Sequence, residues 1–109
     1  MEAICDPVFA RVDKLIALLH KSKSLHILFI LNAKGSSMRF SDIKKHVNSS
    51  STTVTRRLSE LEANGLVTRT MHATMPVTVY YSLTEDAQHL APTIQSMYDW
   101  IVERDVTFL

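Results

Sequence analysis

Glycine and proline are scarce in this chain, with 2 Gly and 3 Pro among 109 residues. So few breakers leave little room for disordered tails and predict a compact, helix-rich fold. The single cysteine, Cys5, excludes an internal disulfide and makes a reducing cytosol the expected compartment. No apolar run reaches the roughly 18 residues needed to cross a bilayer, so no membrane association is expected. The opening residues, MEAICDP, have neither the basic start nor the apolar stretch of a secretion signal. The expected location is therefore cytoplasmic.

Catalytic patterns are missing too. There is no Gly-rich phosphate loop, no His-x-x-x-His pair with a third ligand, and no histidine close to Cys5. The histidines at 20, 26, 46, 72 and 89 fall without ligand spacing. His26, alone in an apolar run, reads as a satisfied or boundary residue rather than a ligand. No enzyme, metal or cofactor is expected.

What is present is apolar content of 46%, enough for one modest core over residues 1–109, marginal enough that dimerisation would help. The net charge of +1 conceals an asymmetry: residues 1–60 hold ten Lys and Arg against five Asp and Glu, whereas residues 61–109 hold two against six. A basic surface on the first part and an acidic face elsewhere suit a protein that meets nucleic acid.

The basic part centres on residues 40–64, which read as two short helices joined by a turn at Asn48-Ser49. In the second helix Ser50 is the expected N-cap and Asn64-Gly65 the left-handed stop. Val54, Leu58 and Leu61 share an inward stripe at spacings of four and three. Thr52, Arg56 and Ser59 lie opposite, flanked by Thr53, Thr55 and Arg57, with Ser51 at the start. An ordinary solvent face would mix Glu with Lys; the first two turns here carry no acid. Small hydroxyls permit close approach to phosphates and base edges, and Arg can fork onto guanine. The alternative is a polar helix with accidental arginines. The preceding helix weighs against it: Ser41 is its expected cap, Ile43 and Val47 point inward, and Lys44, Lys45 and His46 stand where such a helix crosses the phosphate backbone.

Around this motif, Asp6-Pro7 should open a first helix over 6–21, with Val8, Phe9, Val12, Leu15, Ile16 and Leu19 on a wide apolar face. Ser24 is the expected cap of a nearly all-apolar helix, LHILFILN, at the centre of the domain. Met38-Arg39-Phe40 suits a very short strand. Residues 66–71 and 77–83 have strand composition, and the His72–Pro76 segment between them makes a wing tip over 66–83. Thr84 caps a last helix over 84–104 whose Leu90, Ile94, Met97 and Ile101, with Tyr98 and Trp100, exceed what one wing needs. The two end helices are therefore candidate dimerisation helices; covering the core alone is the other reading. The fold class expected is mainly α with a small β-hairpin (α+β), a winged helix-turn-helix with extra N- and C-terminal dimerisation helices.

This arrangement resembles the HxlR-type winged-helix transcriptional regulators, relatives of the MarR group. The likeness runs from Cys5 to Trp100. It is carried by Cys5 with Pro7-Val8, by Arg39-Phe40-Ser41-Asp42-Ile43, and by Thr55-x-Arg57-Leu58-x-x-Leu61-Glu62-x-x-Gly65-Leu66-Val67. Further carriers are Pro76, Tyr81-Ser82-Leu83-Thr84, Leu90 with Pro92, and Trp100. Three departures stand out: Ser22-Lys23-Ser24 replaces the family's Gly-Lys-Trp, Val77-Thr78 replaces the basic residue after the wing proline, and Ala87 replaces a glycine. The resemblance implies a homodimeric repressor or activator on an inverted repeat of double-stranded DNA.

Ser51, Thr52, Thr53, Thr55, Arg56 and Ser59 are accordingly expected to meet bases or phosphates, and Lys44, Lys45, Arg57, Arg69 and His72 to position the backbone. Half-sites should lie about 10 to 10.5 bp apart, or a multiple of that. The resemblance also makes Cys5 a candidate redox sensor, since some members sense oxidants through an N-terminal cysteine. A helix start lowers a thiol pKa, Asp6 opposes the shift, and a plain packing or exposed thiol is the alternative. A small-molecule effector site between end helices and core fits this plan, but no residue pattern argues for one. The rival function, from a different class, is a winged-helix module that binds protein and no longer reads DNA, which the weakly basic wing favours.

Overall fold

The computed structural model describes residues 6–109, so Cys5 lies outside the described residues. Five helices and three short strands follow one another: α1 (Pro7–His20), α2 (Ser24–Lys34), β1 (Met38–Arg39), α3 (Phe40–Val47), α4 (Ser51–Ala63), β2 (Val67–His72), β3 (Thr78–Leu83) and α5 (Glu85–Arg104). The strands form one antiparallel sheet in the order β1-β3-β2, with Met38 opposite Tyr81 and Arg69 opposite Tyr81 on its other side. This is the winged-helix arrangement. Among the described residues no single helix is long and apolar enough to cross a membrane.

The core grows outward from α2. Ile27, Leu28 and Leu31 are buried on it and meet Ile43 and Val47 of α3, Val54, Leu58 and Leu61 of α4, and Ile94 of α5. A helix apolar on nearly every side finds partners on nearly every side, as its lack of amphipathic pattern demands. His26 is exposed on its flank rather than interior.

Capping explains most boundaries. Asp6 accepts a bond from Val8 N at 2.8 Å with Pro7 at the first helical position, and Thr84 Oγ1 accepts from Ala87 N at 3.2 Å. At the end of α4, Gly65 takes φ +75° while Leu66 N donates to Leu61 O and Gly65 N to Glu62 O, a Schellman closure that needs a left-handed residue. Thr84 Oγ1 also donates to Gly65 O at 2.7 Å, fastening the start of α5 to the end of α4.

Two caps differ from expectation. Ser41 does not open α3, which begins at Phe40 after an extended Arg39. Phe40 accordingly leaves β1. Nor does Ser24 cap α2: Lys23 precedes it in a left-handed turn, φ 73°, and Ser24 becomes the first helical residue, 0% exposed. Its Oγ meets no protein hydrogen-bond partner among the described residues. The tight joint between α1 and α2 is the physical reason, because it turns this side chain inward before the helix starts. Burying an unpaired hydroxyl costs about 1–3 kcal/mol. Ser24→Ala should therefore stabilise the fold by about 0.5–2 kcal/mol in urea denaturation. A net loss would show that the hydroxyl is bonded after all.

The N-terminal part of α1 and the C-terminal part of α5 extend beyond this core. No residue of α1 is buried, and Val8, Phe9 and Ile16 are more than half exposed. On α5 the buried residues stop at Ile94; Tyr98 stacks one side of its ring on Phe29 of α2 at 4.8 Å, and Met97, Trp100, Ile101 and Val102 are exposed. The radius of gyration, 15.7 Å, exceeds the ~13 Å of a compact chain of this length. The outer turns of these helices project from the core.

Candidate nucleic-acid interface

The Ser50 side chain starts α4 by accepting from Thr53 N at 3.2 Å, and the first turn holds no acid. The helix therefore presents free amides and the positive end of its dipole with nothing to neutralise them. Val54, Leu58 and Leu61 are buried at 0–1% exposure, which fixes the roll of the helix. Ser51, Thr52, Thr55, Arg56 and Ser59 consequently point to solvent. Thr53 is half-buried, and its hydroxyl accepts from Ser50 Oγ at 3.1 Å, so part of its capacity is spent on the cap.

Behind α4, Lys44, Lys45 and His46 are exposed in the last turn of α3, which closes at Asn48 in a left-handed conformation. Neither these lysines nor Arg56 nor Arg69 forms an ion pair among the described residues. The wing residues separate by strand parity. Arg69 is register partner of the buried Tyr81, so it lies on the helix-facing side of the sheet but beyond the core, and is exposed. His72 shares the opposite face with Tyr80, packing edge-on against its ring at 4.8 Å, while Arg39 sits 5.9 Å from the same ring centroid. His72 also belongs to β2, and the wing tip begins one residue later. Met75 and Val77 are exposed there, where a basic tip would carry cations.

Arg57 goes elsewhere than expected. Its side chain is 14% exposed and turned back: Nε donates to Ser22 O at 3.0 Å and Nη1 to Glu60 Oε1, while Lys21 Nζ reaches Glu60 Oε2 at 2.8 Å. Arg57 and Arg56 are neighbours on the helix, so a turn of about 100° between successive residues sends one to the α1–α2 joint and leaves the other free. The spacing of Arg57 and Glu60 hinted at a pair. Nothing in the sequence marked Lys21 or the Ser22 carbonyl as its partners, because they lie 39 and 35 residues away.

Bonds from Lys21 and then Arg57 hold the Glu60 carboxyl below its ordinary 4.5. A carboxylate with a depressed folded-state value adds stability above the ordinary value and loses it as pH falls through the lowered one. The joint should therefore be unchanged from pH 8 to 5 and loosen only in stronger acid. Thermal melts of wild type and Glu60→Gln should differ slightly at pH 7 and converge in acid below the ordinary carboxylate range; an undiminished gap there would show that the charge is not what matters.

Residues 18–105 match the HxlR-like helix-turn-helix family model. The HTH-type transcriptional regulator YvaP of Bacillus subtilis is 34% identical over 94 residues, 85% of each chain. Among solved structures, the reduced form of the B. subtilis transcriptional regulator YodB is similar with a TM-score of 0.73 and 30% identity, over 84% of this chain and 88% of that one. The redox regulator HypR in its oxidised form has a TM-score of 0.73 at 26% identity, over 91% and 99%. These relatives are regulators rather than enzymes. With the match running from the end of α1 through α5, and the helix-turn-helix and wing in their places, the chain belongs to the HxlR-like helix-turn-helix family of transcriptional regulators.

Proposed function

We propose that this regulator is a homodimer that reads an inverted-repeat operator, one α4 helix per half-site in the major groove. The observation that carries the reading is the exposed, acid-free face of α4, on which Arg56 stands unpaired among five small hydroxyl residues, Thr53 only half exposed. Arg56, Thr52, Thr55 and Ser59 are its base or phosphate contacts, with Ser51 and Thr53 at the helix start. Lys44, Lys45 and Arg69 set the backbone, and His72 serves from the far side of the wing. Arg57 leaves this group. The unburied apolar residues of α1 and α5 support pairing of two chains, and the redox regulator HypR among the relatives gives Cys5 its interest.

The test is fluorescence anisotropy against the protein's own upstream DNA and a scrambled duplex, each at two salt concentrations. A preference of roughly 10³ or more is expected, and Arg56→Ala should cost about 1–3 kcal/mol of it. Equal, salt-erased binding to both duplexes would leave only charge attraction. The second reading, a protein-binding module, has one observation in its favour, the apolar wing tip of Met75 and Val77; it predicts that equal binding.

A further inference from the structure

The dimerisation helix and the recognition helix meet at a single small joint. Helices α1 and α2 lie at 87° to one another, joined by Lys21-Ser22-Lys23, with Lys23 left-handed. Such a short connection leaves the Ser22 carbonyl outside both helices, needing a donor. Arg57 supplies it from α4, and the same guanidinium holds Glu60, whose second oxygen holds Lys21. These are the only ion pairs among the described residues. Both close on this joint, where α1, itself without a buried residue, leaves the body of the domain.

We infer that Arg57, Glu60 and Lys21 are positioning residues that lock α4 to the base of α1 and so set how far apart two recognition helices stand in a dimer. This rests on the operator reading above. The energetic logic favours positioning over stability. Lys21 is 47% exposed and Glu60 26%, so their pair contributes little to folding. Geometry is another matter: a planar guanidinium bonded at Nε and Nη1 to two different segments fixes the angle between them, which a point charge cannot do. The rest of α1 is held only by the half-buried Leu15, Leu18 and Leu19 against the core. Without the lock, α1 can pivot on three residues while every core contact of α4 stays in place.

Two conservative variants separate this from a direct DNA role. Arg57→Lys keeps the charge and loses the fork; Glu60→Gln removes a negative charge from the DNA-reading helix. If these residues acted on DNA as charges, the first would change little and the second would tighten binding. As a lock, both should lose roughly tenfold of the preference for correctly spaced half-sites over half-sites moved by one base pair, the scale of one lost base contact, with an unchanged salt slope.

A readout without DNA accompanies it. Spin labels at Lys14→Cys on α1 and Glu62→Cys on α4, in a Cys5→Ser background diluted with unlabelled protein, report the distance within one chain by pulsed electron resonance. One narrow distance is expected for the parent and a broadened distribution for both variants. Distributions that stay equally narrow overturn the lock, whatever the DNA result. Broadening together with no DNA preference in the parent keeps the lock and removes the operator reading instead.

Discussion

Ile16→Glu should convert the protein to a folded monomer and lower operator affinity by roughly 10³-fold or more, since one chain then holds only one half-site. Ile16 is 57% exposed in the single chain, on a helix without a buried residue, so a carboxylate there meets water in the monomer. In a dimer the same position would be closed against the partner. Burying an isoleucine contributes about 1.5–3 kcal/mol, and forcing an unpaired charge into that place costs more. In the proposed twofold dimer the change would apply twice. Light scattering and anisotropy check both halves of the expectation. A dimer that persists with unchanged affinity would move the interface away from α1 and leave its apolar face without a role.

Leu58→Ala is the second large effect. Leu58 is 1% exposed and stands between the other two inward residues of α4. Truncating a leucine so enclosed costs about 2–5 kcal/mol, a large share of the 5–15 kcal/mol that holds a domain of this size. The midpoint of thermal unfolding should fall by roughly 10–20 °C. Ser59→Ala, one residue on, removes an exposed hydroxyl and should leave stability within about 0.5 kcal/mol while weakening DNA binding. The pair sorts the two faces of one helix. If Ser59→Ala left DNA binding intact, the interface would end short of the third turn, at Arg56.

The order and kind of elements were legible because their signals are local. Ser50, Thr84 and Asp6 cap helices through side chains within three residues of the amides they bind, and Gly65 closes α4 at a positive φ that few other residues tolerate. The stripe of Val54, Leu58 and Leu61 sets which residues of α4 face out, so the hydroxyl-and-arginine face could be read from spacing alone. Ser24 and Ser41 failed as caps for an equally physical reason. A serine before an apolar run marks a boundary only to within a residue, and the backbone entering it chooses the cap.

Sequence by itself determined that there would be a winged helix, which helix would present Arg56, and that two end helices would carry more apolar surface than one domain can bury. Periodicity, caps and composition act over a few residues, and one chain holds that information. Tertiary structure alone decided the fate of the charged and aromatic side chains. It sent Arg57 to Ser22 and Glu60 while leaving Arg56 free, and it brought His72 of β2 and Arg39 of β1 to the same Tyr80 ring on β3. Those outcomes depend on which distant segments meet, at what angle and in what register, and a side chain with several bonding options takes the partner that the fold brings within 3 Å.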